Sequence, residues 1–265
     1  MEEVLADDGV THVVRVGSTV RRTSRPYTVT VHTYLRHVRE RGFREAPEPL
    51  GWDDAGREVL SFVEGDVLDK PLPDAATGVD VLVALARLIR RLHDAAEGWT
   101  PPPDAVWGAI PGGTPAGVVP LFDAPELVSH QDYCRGNVVF RGGLPAALID
   151  FDLARPTTRV ADVVNAVHWW APLVHPVDRA PALVAADIPA RVRAFVDAYG
   201  MTAEQRALVV PVAVGRARNS VLTMRAAADV DPVFRRWWDE GVRERAPRTV
   251  TWLEENAGAL AAALR

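Results

Sequence analysis

Cysteine is almost absent from this chain, and long apolar runs are missing altogether. The one cysteine, Cys134, has no partner with which to form a disulfide within the chain. No apolar segment is long enough to cross a bilayer. The first residues, Met1 to Val4, are acidic and lack the apolar core and cleavage site of a signal peptide. We therefore expect a cytoplasmic protein that has no membrane partner.

Basic residues are too few for a protein that binds nucleic acid. The chain carries 30 lysines and arginines against 35 aspartates and glutamates, a formal net charge of −5. A nucleic-acid partner would require an excess of positive charge to contact its phosphates. The seven histidines are scattered, so no zinc-binding set is expected. The 265 residues, 48% of them hydrophobic, are enough for a sizeable core in one large or two small domains.

The most informative stretch of the sequence runs from Val128 to Asp152. It contains His130-x-Asp132 and then Asn137, five residues after that aspartate. An apolar strand follows and leads to Asp150. Phosphoryl transfer needs a carboxylate near the acceptor hydroxyl, and oxygen ligands for the magnesium ions that neutralise the phosphates. One loop and a following hairpin supply these groups in that order, although a surface loop with polar turn residues is the alternative.

These residues resemble the catalytic loop H-x-D-x-x-x-x-N and the metal strand I-D-[FLW]-[DEG] of the aminoglycoside phosphotransferase and choline kinase family. That family is a branch of the protein-kinase-like fold. The matching positions are His130, Asp132, Asn137, Ile149, Asp150 and Asp152. The resemblance implies that Asp132 is the catalytic base or orients the acceptor hydroxyl, and that Asn137 and Asp150 hold magnesium. Asp152, which stands where protein kinases have a glycine, is a further candidate for metal binding or for support of the site.

Two more residues are expected to support the catalytic loop. By the resemblance, His130 bonds backbone groups around the loop, and Asp162 braces the loop from below. Because Asp162 stands where a helix is predicted to begin, an N-cap is its alternative role. Cys134 falls on an unspecified position of the motif, so we interpret it as a bystander and not as a nucleophile.

The nucleotide-binding features near the amino terminus depart from the family pattern. Gly9 and Thr11 stand in the place of the family's glycine-rich turn over the phosphates, but the segment has a single glycine, and an ordinary β-turn is the alternative. Arg22 aligns with the phosphate-binding lysine, and Arg21 is placed on the opposite face of the strand. A solvated arginine pair on an edge strand is the alternative.

The helix after this strand lacks the glutamate that would pair with the phosphate-binding cation. Val31 and His32 occupy the matched positions, so either the ion pair is built differently or nucleotide binding is altered. Farther along, Ser61, Phe62 and Val63 stand at the lobe junction, where the resemblance implies backbone hydrogen bonds to adenine. Phe62 would flank the ring, although it is equally suited to the core.

Aromatic residues form two clusters in the second half of the chain, His168-Trp169-Trp170 and Trp237-Trp238. Such clusters line an acceptor pocket or pack between helices. We favour packing, because large aromatic side chains dominate core energetics.

The pattern of elements, read with the resemblance, predicts an α+β fold, the bilobal protein-kinase-like fold. Short strands at 13–16, 19–22, 47–52 and 57–63 form an antiparallel sheet with a turn at Gly17-Ser18, and one helix over 31–38 ends at Gly42. We place the N-lobe at residues 1–65, ending in the hinge, and a mostly helical C-lobe with the catalytic loop and acceptor pocket at 66–265. The Pro- and Gly-rich segment 100–120 is predicted to be a loop. Further helices are predicted near residues 82–92, 161–171, 189–199, 203–228 and 242–264.

The resemblance predicts a small-molecule phosphotransferase that uses Mg2+ as cofactor and ATP or GTP as co-substrate. The γ-phosphate would move to a hydroxyl of an antibiotic, first of all an aminoglycoside, or of another amino-alcohol or sugar. The alternative is a catalytically silent kinase-like binding or immunity module, which the single glycine, Arg22 and the missing glutamate favour. The presence of Asp132, Asn137 and Asp150 together favours the enzyme.

Overall fold

A computed structural model describes residues 2–7, 12–68 and 72–265. Within these ranges the strands are β1 (Glu3–Asp7), β2 (His12–Val16), β3 (Thr19–Arg22), β4 (Pro49–Trp52), β5 (Glu58–Ser61), β6 (Asp66–Val67), β7 (Leu127–Ser129), β8 (Val138–Arg141), β9 (Leu144–Leu148) and β10 (Arg155–Thr157). The α-helices are α1 (Thr28–Glu40), α2 (Val79–Ala96), α3 (Arg159–Trp170), α4 (Ile188–Tyr199), α5 (Ala203–Val230), α6 (Pro232–Trp237) and α7 (Arg243–Leu264).

The amino-terminal strands form one antiparallel sheet in the order β1-β2-β3-β5-β4. The predicted hairpin is confirmed: β2 and β3 pair across the turn at Gly17, whose φ of 61° suits a glycine. The predicted second strand pair forms as β4 and β5, whereas β1, which pairs with β2, was not predicted. In the β3–β5 register Arg22 lies directly opposite Glu58.

Helix α1 packs one face into the core, as its spacing predicted. Its buried residues include Val31, Leu35 and Val38. The helix begins at Thr28, three residues earlier than the first apolar position suggested, and the chain leaves it through Gly42, whose φ is 95°. Packing against α2 fixes the helix beside the sheet.

Two small sheets surround the segment with the H-x-D motif. Strand β8 pairs with β9 as the predicted hairpin and with β6 on its other side, while β7 pairs with β10. Strands β6, β7 and β10 were not predicted, because two or three residues are too few to show a periodicity. Gly65 precedes β6 with a φ of 135°, and a Cβ there would lie 2.5 Å from the carbonyl oxygen of Phe140. The division of the chain after Gly65 stays a prediction.

The carboxyl-terminal half is helical, as expected. Helix α3 begins at Arg159 and is capped by Thr158, whose side chain accepts a hydrogen bond from the backbone N–H of Ala161. The N-cap role that was the alternative for Asp162 is therefore wrong. Helices α4, α5 and α7 lie within three residues of the predicted bounds, whereas α6 and the π-helical turn Trp238–Val242 were not predicted. Helix α5 packs along both α3 and α7.

The segment between α2 and β7 has neither helix nor strand, as its proline and glycine content predicted. It nevertheless contacts three parts of the molecule, namely α1, the backbone at Asp152 and α5. The N–H of Val106 donates to the hydroxyl of Thr30 in α1, 2.9 Å away, and Gly108 lies against the backbone of Asp152. The backbone of Val119 exchanges two hydrogen bonds with the amide of Asn219 in α5.

Among the described residues, no helix combines the length and apolar character that a membrane crossing requires.

Candidate active site

The loop after β7 brings Asp132 and Asn137 into direct contact. A short 3-10 turn, Arg135–Asn137, folds the chain back, so that Nδ2 of Asn137 donates to the carbonyl oxygen of Asp132 at 3.0 Å and to its Oδ2 at 2.9 Å. The amide nitrogen is thus occupied, and Oδ1 of Asn137 accepts no hydrogen bond from the described residues. A carboxylate oriented by a neighbouring amide, with a free amide oxygen beside it, is the result of the five-residue spacing.

Asp162 lies beneath this loop and is completely buried. Its Oδ1 accepts from the backbone N–H of Gln131 at 3.0 Å and from the side-chain amide of Gln131. Its Oδ2 lies 2.6 Å from Nε2 of His93 and also accepts from the hydroxyl of Tyr133. Burial alone raises the pKa of Asp162, but the hydrogen bonds from His93 and Tyr133 outweigh it and lower that pKa. Gln131 has a φ of 63°, so this carboxylate fixes the loop where its backbone is in the left-handed region.

His130 is buried at the start of the same loop. Its Nε2 donates to the carbonyl oxygen of Ile149 at 2.9 Å, and its Nδ1 accepts from the N–H of Asp132 at 3.2 Å. The ring lies 4.4 Å from that of Phe151 and 5.0 Å from that of Tyr133. His130 therefore links the loop with the end of β9 through backbone hydrogen bonds.

The two aspartates after β9 differ in exposure. Asp150 has a φ of 61° and a side chain that is 41% exposed, whereas the Asp152 side chain is 21% exposed. The N–H of Ile149 donates to the backbone oxygen of Asn137 at 3.0 Å, which holds Asp150 next to the catalytic loop. Burial, and then the charge of Asp150, raise the pKa of Asp152 to about 6. The hydroxyl of Tyr27 donates to Oδ2 of Asp152 at 2.9 Å.

Arg22 reaches across from the sheet to these aspartates. Its guanidinium lies 2.5 Å from Glu58, 3.0 Å from Asp150 and 2.6 Å from Asp152. Burial lowers the pKa of Arg22, but the three carboxylates raise it above its ordinary value. The edge-strand alternative is wrong, because β3 lies between β2 and β5 and Arg22 is only 8% exposed. Arg21 turns away and lies 3.6 Å from Asp53 instead.

The carboxylate that helix α1 lacks is supplied by strand β5. Glu58, buried opposite Arg22, places its second oxygen 2.8 Å from Nε2 of His32. Burial raises the pKa of Glu58, but His32 and Arg22 hold it below its ordinary value. The ion pair is thus built differently, with the acid on a strand and a histidine on the helix. Sequence reasoning missed Glu58, because no sequence pattern gave the pairing of β3 with β5 that sets it opposite Arg22.

The predicted hinge residues are half-buried where β5 ends. The N–H groups of Ser61 and Phe62 already donate to the backbone oxygens of Glu48 and Ser18. The N–H of Val63 has no partner within the described part of the chain. The guanidinium of Arg15 lies 3.7 Å from the centre of the Phe62 ring and covers one face of it. Gly9 and Thr11, the predicted phosphate turn, lie outside the described residues.

Most members of the two aromatic clusters pack in the interior, as we favoured. Trp170 is buried, and its Nε1 donates to the carbonyl oxygen of Tyr133 at 2.8 Å, so it packs under the catalytic loop. Trp237 packs against Phe234, and Trp238 is buried. His168 and Trp169 are only partly buried. Burial, and then the charges of two arginines, lower the pKa of His168 to about 3.

The residues around Asp150 fit the magnesium that the resemblance implies. Asn137 keeps its amide oxygen free, and Asp150 and Asp152 supply carboxylate oxygens, the ligands that magnesium prefers. Three or more His, Cys, Asp or Glu side chains are nowhere grouped as metal ligands in residues 2–7, 12–68 and 72–265. A site with few protein ligands is typical of magnesium, which keeps waters and shares substrate phosphates.

Solved structures resemble the fold of this chain. A choline/ethanolamine kinase family protein from Mesorhizobium loti superposes with a TM-score of 0.65 at 17% identity, covering 100% of this chain and 92% of the other. Amicoumacin kinase, in complex with AMP-PNP and Ca2+, gives a TM-score of 0.65 at 13% identity and covers 92% and 89%. The α+β, bilobal protein-kinase-like fold is confirmed.

One family model matches part of the sequence. The model of the phosphotransferase enzyme family matches residues 101–208, which include the catalytic loop. The resemblance to the aminoglycoside phosphotransferase and choline kinase family is thereby confirmed. The trifolitoxin immunity protein of Rhizobium leguminosarum bv. trifolii is 29% identical over 276 residues, covering 99% of this chain and 98% of its own.

Proposed function

We propose that the protein transfers the γ-phosphate of ATP or GTP to a hydroxyl of a small molecule. The observation that carries this proposal is the contact between Asp132 and Asn137, with Asp150 held beside them by the hydrogen bond between Ile149 and Asn137. A proton acceptor and two oxygen ligands meet at one point, as phosphoryl transfer requires.

In the proposed reaction, Asp132 accepts a hydrogen bond from the acceptor hydroxyl and aligns its oxygen with the γ-phosphorus. The new O–P bond forms as the bond to the β–γ bridging oxygen breaks, and the nucleoside diphosphate leaves with the electron pair. The hydroxyl proton passes to Asp132 late in the step. Magnesium, when bound, neutralises the phosphate charges, and Asn137 and Asp150 would hold it. Asp152 is a further candidate ligand.

Arg22 takes the part of the phosphate-binding lysine in this proposal. Glu58, which is itself bonded to His32, holds the guanidinium of Arg22, so that the charge is positioned before a nucleotide binds. A planar guanidinium can contact phosphate oxygens through two N–H groups at once. Val63, with its free N–H at the lobe junction, is the proposed backbone donor to the nucleotide base.

An antibiotic is the proposed acceptor. The similarity to amicoumacin kinase and to an aminoglycoside 2'-phosphotransferase supports it, as does the similarity to an immunity protein directed at trifolitoxin. The phosphate added to a hydroxyl would change the charge and shape by which a toxic compound reaches its target.

The second candidate is a silent kinase-like immunity module that binds without turnover. The similarity to the trifolitoxin immunity protein over 99% of the chain favours it. So do the ion pairs of Arg22 with Asp150 and Asp152, because these carboxylates must release the guanidinium to hold a metal.

A screen of hydroxylated antibiotics, amino-alcohols and sugars with γ-labelled ATP and GTP tests the two candidates. We expect label transfer to at least one acceptor by the parent and none by Asp132→Asn. Nucleotide-linked thermal stabilisation should remain in Asp132→Asn, since this side chain faces the acceptor. Comparable label transfer by the two proteins would remove Asp132 from the reaction. Acceptor-linked stabilisation without any transfer would favour the silent module.

A further inference from the structure

Four arginines from four different elements act electrostatically on one another, on His168 or on Asp132. Arg135 belongs to the catalytic loop, Arg155 begins β10, and Arg216 and Arg245 lie on the packed helices α5 and α7. Strand pairing sets Arg155 opposite Ser129, the residue before His130 of the motif.

Electrostatic contacts show that these side chains surround one region. Burial lowers the pKa of Arg216 to about 10, while Asp132 raises that pKa and Arg155 lowers it further. Arg216 and Arg245 both lower the pKa of His168. Arg245 also lowers the pKa of Arg135, after burial. These charge interactions run from Arg155 through Arg216 and His168 to Arg245 and Arg135. Two acids take part in them: Asp132, which acts on Arg216, and the fully buried Asp162, which acts on Arg155.

These guanidinium groups have no ion-pair partner within 4 Å among the described residues. Arg155 and Arg216 are also partly buried, so solvent only partly compensates their charges. Two other buried arginines do have partners: Arg22 pairs with three carboxylates, and Arg191 donates to two backbone oxygens. An unpaired, partly buried guanidinium beside a reactive carboxylate is a costly arrangement unless a ligand completes it.

The connector between α2 and β7 forms a wall next to Arg216. The side chain of Leu121 would lie 3.1 Å from a Cβ at Gly215, and Val119 is bonded to Asn219, one turn beyond Arg216. The small residue at 215 lets the connector approach α5 closely at this level. The connector therefore lies against α5 immediately before Arg216 and one turn after it.

Resting on the proposed function, we infer that the acceptor carries an anionic group, a carboxylate or a phosphate ester, which Arg216 and Arg155 bind while its hydroxyl faces Asp132. Guanidinium groups are suited to both anions through paired N–H donors. The same cluster repels a polycation, because like charges brought together in a partly buried site are unfavourable. Among antibiotics, this selects acidic compounds or peptides with a free carboxylate over aminoglycosides.

Calorimetric titration with sodium sulfate and with sodium acetate tests the anion site directly, with sodium chloride at matched ionic strength as reference. We expect both anions, or one of them, to bind the parent, and Arg216→Gln and Arg155→Gln each to weaken that affinity about ten- to a hundredfold. Arg216→Lys should lose less, since it keeps the charge. Arg218→Gln is the matched control, because Arg218 lies on the same helix but pairs with Glu254 at the surface. Binding of sulfate alone indicates a phosphate-type acceptor, and binding of acetate indicates a carboxylate.

Three results would overturn the inference. They are no binding to the parent above the chloride reference, equal affinities in the parent and all variants, and loss of anion binding when AMP-PNP and magnesium are added, which would assign the arginines to the nucleotide phosphates. Magnesium-dependent AMP-PNP binding is measured separately on the same protein. Its absence would refute the phosphotransferase, while the sulfate and acetate affinities would still report on the anion site.

Discussion

Two buried histidine–carboxylate pairs support the two sides of the candidate site, and they differ in their further contacts. Under the catalytic loop, His93 binds Asp162 through Nε2 and the hydroxyl of Tyr199 through Nδ1, both at 2.6 Å. Both oxygens of Asp162 are occupied by groups of the same lobe. Every polar atom of this pair is engaged, which is typical of a network that fixes the backbone above it.

Under the sheet, His32 binds Glu58, but Nδ1 of His32 is buried and has no hydrogen-bond partner among the described residues. Glu58 also pairs with Arg22, and Arg22 pairs in turn with the more exposed Asp150 and Asp152. The first network is closed, in the sense that every polar atom of its central pair already has a partner. The second network ends at carboxylates that a metal or a nucleotide can engage. We therefore expect the loop to be rigid before ligands bind and the Arg22 cluster to rearrange when they do.

Removing the charge of Asp162 should have the largest effect on stability. Asp162→Asn breaks a fully buried, hydrogen-bonded pair, which costs about 3–5 kcal/mol. Urea unfolding measures the loss. Asp94→Asn is the control, because its side chain is 47% exposed and the change should stay within about 0.5 kcal/mol. Similar losses from both variants would mean that the network under the loop is not closed.

The reactivity of Cys134 reports on the same loop. Burial, and then the charge of Asp132, raise the pKa of the Cys134 thiol to about 12 from an ordinary 9.0. Near pH 8 its thiolate fraction, and with it the rate of reaction with a disulfide reagent, should be about a thousandfold below that of an ordinary thiol. Asp162→Asn should raise this rate and Glu58→Gln should not. A fast reaction in the parent would contradict the rigid loop.

Substitutions of Arg22 and Arg21 test the network under the sheet. Arg22→Ala should weaken magnesium-dependent AMP-PNP binding about ten- to a hundredfold, because a charge-assisted contact to phosphate is lost. Arg21→Ala should change it little, since Arg21 pairs with Asp53 away from the site. Arg22→Lys, which restores the family's residue, should recover part of the affinity. Equal small effects of Arg22→Ala and Arg21→Ala would assign the phosphates to another cation.

The smallest effect is expected for Glu58→Gln. Arg22 keeps Asp150 and Asp152 as partners, so the loss of unfolding free energy should be about 1–3 kcal/mol, below that of Asp162→Asn. Urea unfolding of both variants under the same conditions ranks them. If Glu58→Gln lost more unfolding free energy than Asp162→Asn, the network under the sheet would be the more rigid of the two, contrary to our expectation.

The sequence predicted what local spacing encodes. His130, Asp132 and Asn137 lie within eight residues, so their loop was recognisable, and the hairpin β2–β3 followed from alternation around Gly17. Glu58 was missed because it meets Arg22 across β3 and β5, 36 residues apart. No short pattern encodes which strands become neighbours in a sheet.

The arginine cluster could not be predicted for a similar reason. The pairing of β10 with β7 brings Arg155 near the loop, whereas Arg216 comes from a helix that packs against α3. Each of these arginines, read along its own element, is typical of a solvated surface position. That neither has an ion-pair partner within 4 Å in the described part of the chain is a property of the folded arrangement alone.

Calorimetric titration of AMP-PNP, with and without magnesium, tests the central claim most directly, because it needs no acceptor. We predict that the parent binds only when magnesium is present, that Asp132→Asn binds equally well, and that Asp150→Asn loses about ten- to a hundredfold in affinity. Equal affinities of the parent and Asp150→Asn, or binding by the parent that is indifferent to magnesium, would contradict the proposed phosphotransferase site.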